Sequence, residues 1–130
     1  MKKIAALLCT FALTAVVAFA AEKFPDISHD ELKKAIEEKQ VTLIDVNGSD
    51  SYQSGHIPGA INFATAKADL ASKLPSDKNA LVVAYCGNEQ CGAYAAGAKA
   101  AKELGYTNVK HYSKGIAGWK KSGEKTEKGS

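Results

Sequence analysis

Two short runs of the chain are almost wholly apolar: Val41-Thr42-Leu43-Ile44-Asp45-Val46 and Leu81-Val82-Val83-Ala84-Tyr85. Runs so short and so uniformly apolar suit strands covered on both faces. Around them the pattern changes to a helical period. Ser28-His29-Asp30-Glu31 reads as a capping box opening a helix over 29–39, with Leu32, Ala35 and Ile36 on its apolar face. The stretch 48–59 reads as loop and turn around a short helical piece near Tyr52. A short strand is expected over 61–63, and a helix over 67–73 stopped by Pro75. The alanine-rich run 93–104 predicts a helix ended by Gly105 at its C′ position. Ala95, Ala96, Ala98, Ala100 and Ala101 carry little bulk, so this helix can lie close on a sheet. A further strand is expected over 109–112, then a helical turn over 115–119 with Trp119 as a core anchor. The end, 120–130, is charged and lacks apolar residues, which predicts disorder; the domain is taken as 21–123 and the free tail as 124–130. Strands alternating with helices indicate an α/β domain with a mostly parallel central sheet flanked by helices.

The first twenty residues do not fit this pattern. Lys2 and Lys3 precede an uncharged run from Ile4 to Ala21, and Ala18-Phe19-Ala20 has the small residues of an export cleavage site. Residues 1–20 are therefore expected to be a signal peptide, with an uncleaved membrane anchor as the alternative. Cleavage predicts a periplasmic or secreted protein with no remaining membrane segment. It removes Cys9 and two lysines but no acid, leaving a near-neutral chain long enough for one domain. So balanced a charge gives no reason to expect nucleic acid as a partner. All 17 basic residues are lysine. The planar bidentate fork that arginine offers to phosphate, sulfate or carboxylate is absent.

Two cysteines then remain, Cys86 and Cys91. Cys86 follows an apolar strand and opens the polar loop Gly87-Asn88-Glu89-Gln90-Cys91-Gly92, with the alanine-rich helix behind it. Unpaired N–H groups and partial positive charge at a helix N-terminus favour the thiolate, which is the nucleophile. A buried structural cysteine is the alternative, but two glycines and a second cysteine in the loop favour reactivity. A disulfide across so short a loop would constrain the unfolded chain little, so redox or sulfur chemistry explains the pair better than stability. Two thiols with four residues between them supply only half of a zinc site, and His29, His56 and His111 have no metal spacing. Neither a metal nor an organic cofactor is expected. Asp45 is expected to be a structural hydrogen-bond acceptor at a strand end, His56 a brace for the turn after it, Tyr52 core, and Lys99 and Lys102 a solvated face.

Three segments together resemble the rhodanese-like domain family. Leu43-Ile44-Asp45-Val46 followed by Tyr52 and Gly55-His56-Ile57-Pro58-Gly59-Ala60-Ile61-Asn62 looks like its first signature. Cys86 after its apolar strand takes the place of the active-site cysteine. Gly105-Tyr106-Thr107-Asn108-Val109 and Gly115-Ile116-Ala117-Gly118-Trp119 resemble the closing segment. The resemblance covers nearly all of 27–123. It implies a sulfurtransferase in which Cys86 accepts sulfane sulfur as a persulfide from a small donor (a persulfide, polysulfide or thiosulfate) and passes it to a thiol or other nucleophile. The substrate-binding residues are then Gly87, Asn88, Glu89, Gln90 and Gly92, whose backbone N–H groups would spread the persulfide charge.

The sequence departs from the family pattern in two places. Asn47 stands where the family often has arginine after the Asp-Val pair, and the loop carries acidic Glu89 with no Arg or Lys. Both favour a thiol-based persulfide donor over dianionic thiosulfate. A related fold runs phosphatase chemistry with Cys-x5-Arg, but the position six beyond Cys86 is Gly92. Other readings stay open. Cys86 and Cys91 would serve as a thiol/disulfide redox module, with an exported redox protein as a candidate partner, or the domain would bind without catalysis. Cys91 itself either resolves a Cys86 persulfide or only packs at the helix start.

Overall fold

The computed structural model describes residues 23–130; the expected signal peptide lies outside the described residues. In chain order the elements are α1 (His29–Glu37), β1 (Thr42–Asp45), α2 (Ser49–Ser54), β2 (Ile61–Asn62), α3 (Phe63–Ala66), a 3-10 turn (Lys67–Asp69), α4 (Leu70–Lys73), β3 (Val82–Tyr85), α5 (Tyr94–Glu103), β4 (Val109–His111) and α6 (Gly115–Lys121). The strands form one parallel sheet in the order β2-β1-β3-β4. β1 and β3 are central and paired from Thr42 opposite Val82 to Asp45 opposite Tyr85. That is why both read as nearly unbroken apolar runs: each has neighbours at its edges and helices over both faces.

Alternation along these strands sends side chains to two separate cores. Leu43, Val83 and Tyr85 join Leu32 of α1, Tyr52 of α2, and Ile116 and Trp119 of α6 on one face. Ile44, Val82 and Ala84 join Leu70 of α4 and Ala98 and Ala101 of α5 on the other. The small residues of α5 let it approach the sheet, and Gly97 marks the closest point. A Cβ there would stand 2.9 Å from Ile44 Cγ2, too near for an ordinary contact.

Local signals set the element ends. Ser28 Oγ accepts the Glu31 N–H at the start of α1, one half of the expected capping box. Gly105, at φ +97°, follows the last turn of α5 in the left-handed C′ conformation. Phe63 does not continue its strand. Asn62 Oδ1 accepts the Ala64 N–H and starts α3 instead.

The closing segment is the main correction. Expected to be disordered, 124–130 is instead tied back to the domain. Glu124 accepts from His29 Nε2 and pairs with Lys33, each at 3.2 Å. Trp119 Nε1 donates to the Lys125 carbonyl at 2.8 Å. Glu127 and His56 exchange two backbone hydrogen bonds of 2.9 Å, and the Gly129 N–H reaches the Gln53 carbonyl. Polar partners hold this segment, so its lack of apolar residues did not reveal it. At the other end of the described chain, residues 25–27 run beside β4, with Ile27 N–H donating to His111 O and His111 N–H to Pro25 O. That cover leaves less of the edge strand open to water. Among the described residues, no helix is long and apolar enough to cross a membrane.

Candidate active site

In a parallel sheet the carboxyl ends of all strands face the same way, and ligand sites form just beyond them. Asp45 ends β1, and Cys86 directly follows Tyr85 at the end of β3. Asp45 is 1% exposed, yet its side chain is well provided with donors. The Tyr85 hydroxyl donates to Oδ2 at 2.7 Å and the Asn47 N–H to Oδ1 at 2.8 Å. The same hydroxyl accepts the Ile57 N–H at 3.1 Å, which joins the 55–60 turn to the two central strands. Burial, the charge of Asp45 and the hydrogen bond to it push the Tyr85 phenol far above its usual range. Tyr85 therefore stays a proton donor. Asp45 acts as the structural acceptor that its strand-end position suggested.

Cys86 is 1% exposed, and its carbonyl, like that of Gly87, turns toward α6. Ile116 N–H donates to Cys86 O and Ala117 N–H to Gly87 O, each at 2.9 Å. Two N–H groups of the first turn of α6 are thus satisfied by the start of the cysteine loop, since no side chain caps this helix. Gly115 makes the contact possible. Its φ is +60°, and a Cβ would lie 2.5 Å from Cys86 O, 2.7 Å from Gly87 C and 2.8 Å from Asn88 N.

Beyond Gly87 the loop bends around Asn88. Asn88 Oδ1 accepts the Gln90 N–H at 2.9 Å and its carbonyl the Cys91 N–H at 3.1 Å. The backbone N–H groups of Gly87, Asn88, Glu89, Gly92 and Ala93 find no acceptor among the described residues. The turn brings Cys91 back to Cys86, and the two form a disulfide with Cα atoms 6.2 Å apart. Both sequence-predicted cysteines thus meet. Of the expected binding residues, Asn88, Glu89, Gln90 and Gly92 are exposed, and Gly87 is half-buried against Asn47.

Sequence reasoning missed the other wall of the site. Asn88, Glu89 and Gln90 face Lys114, Ala117, Gly118, Lys121 and Ser122 across an open groove of about 790 Å³. The loop has no cation of its own, but Lys114, just before α6, and Lys121, at its end, line the groove beside it. The signal was present in the lysines flanking Gly115-Ile116-Ala117-Gly118-Trp119, yet only the fold places them opposite the loop. Asn47, read from the sequence only as a departure from the family pattern, also lies against the loop. Its Nδ2 is buried with no partner among the described residues, and its Oδ1 lies 3.5 Å from where a Gly87 Cβ would be. Among the described residues, no three of His, Cys, Asp and Glu gather closely enough to hold a metal ion.

The histidines have other duties. His56 is buried, stacks on Tyr52 with ring centroids 3.7 Å apart, and places Nδ1 2.8 Å from the Tyr52 carbonyl, bracing the turn. His29 bridges Tyr112, at 2.9 Å, and Glu124. Burial, with the charges of Glu124 and Asp26, raises the Tyr112 phenol to about 12. His111 stacks on Tyr94 at the start of α5, and burial lowers its pKa against the opposing pull of Asp26.

A rhodanese-like domain family model matches residues 28–122. The chain belongs to that family. Among curated relatives of this rhodanese-like domain, the HTH-type transcriptional regulator Rv0324 of Mycobacterium tuberculosis is 36% identical over 104 residues. That match takes in 79% of this chain but spans only 45% of the regulator's length. Thiosulfate sulfurtransferase GlpE of Pseudomonas savastanoi pv. phaseolicola is 30% identical over 93 residues, 69% of this chain and 82% of that protein. Among solved structures, the human single-domain sulfurtransferase TSTD1 matches with a TM-score of 0.60 and 22% identity, covering 76% of this chain and 97% of that one. The thiosulfate sulfurtransferase of Pseudomonas aeruginosa matches with a TM-score of 0.65 and 21% identity, covering 82% of this chain and 21% of that one. These two likenesses show the fold.

The loop can shift little where Gly115 meets it, because the atoms in the way are backbone. Gly115→Ala should destabilise the domain by about 2 kcal/mol, combining a left-handed φ with overpacking. Urea unfolding checks this; an unchanged midpoint would mean that the 86–88 backbone moves aside.

Proposed function

We propose that this protein is a sulfurtransferase that carries sulfane sulfur as a persulfide on Cys86 and delivers it to a thiol or another nucleophile. One observation carries the reading: Cys86 directly follows a central strand and opens a loop with five backbone N–H groups that have no acceptor among the described residues. Such groups stabilise an anion without a proton that could be lost. The similarity to a thiosulfate sulfurtransferase over most of the chain supports the reaction class.

Glu89 disfavours a compact dianion such as thiosulfate at the loop itself, whereas Lys114 and Lys121 line the facing wall of the groove. A longer thiol-based persulfide bearing carboxylates fits that spacing of charge: its sulfur enters at Cys86 and its carboxylates meet the lysines. The Cys86–Cys91 disulfide favours a second reading, a thiol/disulfide module that never holds sulfane sulfur. Export belongs to the same proposal, with a signal removed after Ala20 and the protein working outside the cytoplasm, where such a pair is readily oxidised.

Two measurements test this. Intact mass of the protein from the envelope fraction should correspond to a chain beginning at Ala21; a membrane-embedded product retaining Met1 would contradict export. After reduction and exposure to glutathione persulfide, Cys91→Ser should gain one sulfur by mass and Cys86→Ser none. Failure of both variants to take up sulfur would leave the pair, and not Cys86, as the reactive unit.

A further inference from the structure

We propose that Cys91 discharges the Cys86 persulfide from within, so that the protein releases sulfide in addition to passing sulfane sulfur on. The inference rests on Cys86 being the sulfur carrier. The two side chains are joined in the structure, with a Cα separation of 6.2 Å that lies inside the range of natural bridges, about 4.4–6.8 Å.

The loop accepts this bridge without giving up its anion-binding groups. No residue from 86 to 93 has a left-handed φ. The turn that brings Cys91 back uses only the Gln90 and Cys91 N–H groups, both bonded to Asn88. The N–H groups of Gly87, Asn88, Glu89, Gly92 and Ala93 remain without an acceptor among the described residues even with the bridge closed. Closing the bridge therefore does not consume these five N–H groups.

The chemistry is a thiol–disulfide exchange in which the departing thiol is hydrosulfide. The Cys91 sulfur attacks Cys86 Sγ and forms the Cys86–Cys91 bond as the bond from Cys86 Sγ to the outer sulfur breaks. The electron pair of that bond leaves with the outer sulfur, and the proton of the Cys91 thiol goes with it as hydrosulfide. The outer sulfur is reduced by two electrons, and the two cysteine sulfurs are oxidised to a disulfide.

Return to the dithiol needs an external reductant, a dithiol protein or a small thiol such as glutathione. The structure assigns its point of attack. Cys86 is 1% exposed, whereas Cys91 is only half-buried. The reductant therefore forms its mixed disulfide on Cys91 and expels Cys86 as a thiolate beneath the loop N–H groups. A second thiol then frees Cys91, leaving the reductant as a disulfide.

Reduced, desalted wild type, Cys91→Ser and Cys91→Ala are each given equimolar glutathione persulfide, cleared of thiol, and followed for sulfide and intact mass. Wild type should release its sulfur as sulfide while the Cys86–Cys91 disulfide appears at the same rate. Both variants should keep the persulfide at least about tenfold longer. Equal persulfide decay in all three, with no disulfide in wild type, overturns the resolving role while leaving Cys86 as the carrier. Absence of sulfur uptake by both variants overturns the carrier reading and this inference with it. Alkylation during reduction of the oxidised wild type by glutathione should find glutathione on Cys91 and the alkyl group on Cys86; the reverse assignment overturns the order of attack.

Discussion

The hydrogen bond from the Tyr85 hydroxyl to Asp45 holds the business end of this sheet together. Asp45 ends β1, Tyr85 ends β3, and the two lie opposite each other in the pairing. Both are buried, so water cannot substitute for either partner. Removing one would leave a buried polar group unsatisfied, at a cost of about 1–3 kcal/mol and more for a charge. Through its second bond Tyr85 also fixes the Ile57 N–H, and through Asp45 it fixes the Asn47 N–H. One contact thus sets the turn after α2, the residue after β1 and the strand end that carries Cys86.

With that base fixed, the cysteine loop is shaped from two sides. α6 takes the Cys86 and Gly87 carbonyls onto its first N–H groups, while Asn88 turns the rest of the loop back toward Cys86. Those two carbonyls are thereby bonded within the protein, while five loop N–H groups have no acceptor among the described residues. Selectivity comes from a different layer. Lys114 directly precedes α6 and Lys121 ends it, so their charges line the groove and are not within the loop. On the proposed reading, such a site suits a larger donor that reaches across the groove better than a small dianion.

Most of the fold was legible because its signals are local. The apolar runs at 41–46 and 81–85 became β1 and β3, trimmed by one or two residues, and Ser28 and Gly105 bound their helices. Cys86 was legible for the same reason, as a thiol between an apolar strand and a small-residue helix. The features that escaped depend on distant partners. Glu124 is ordered by His29, 95 positions away, and Lys33, while Glu127 is ordered by His56; nothing in their own neighbourhood announces it. The lysines of α6 look like an ordinary solvated end of a helix until the fold sets them opposite Glu89. Asn47 was visible as a departure from the family pattern, but its unpartnered amide is a property of packing.

The central claim is that the loop N–H groups are reserved for a charged sulfur on Cys86. Amide resonances of 15N-labelled Cys91→Ser, recorded before and after persulfide loading, test it most directly. The account predicts downfield proton shifts at several of Gly87, Asn88, Glu89, Gly92 and Ala93, with little change at Gln90, whose N–H is already bonded to Asn88. Loop amides unchanged on a protein that mass spectrometry shows to be persulfidated would contradict it.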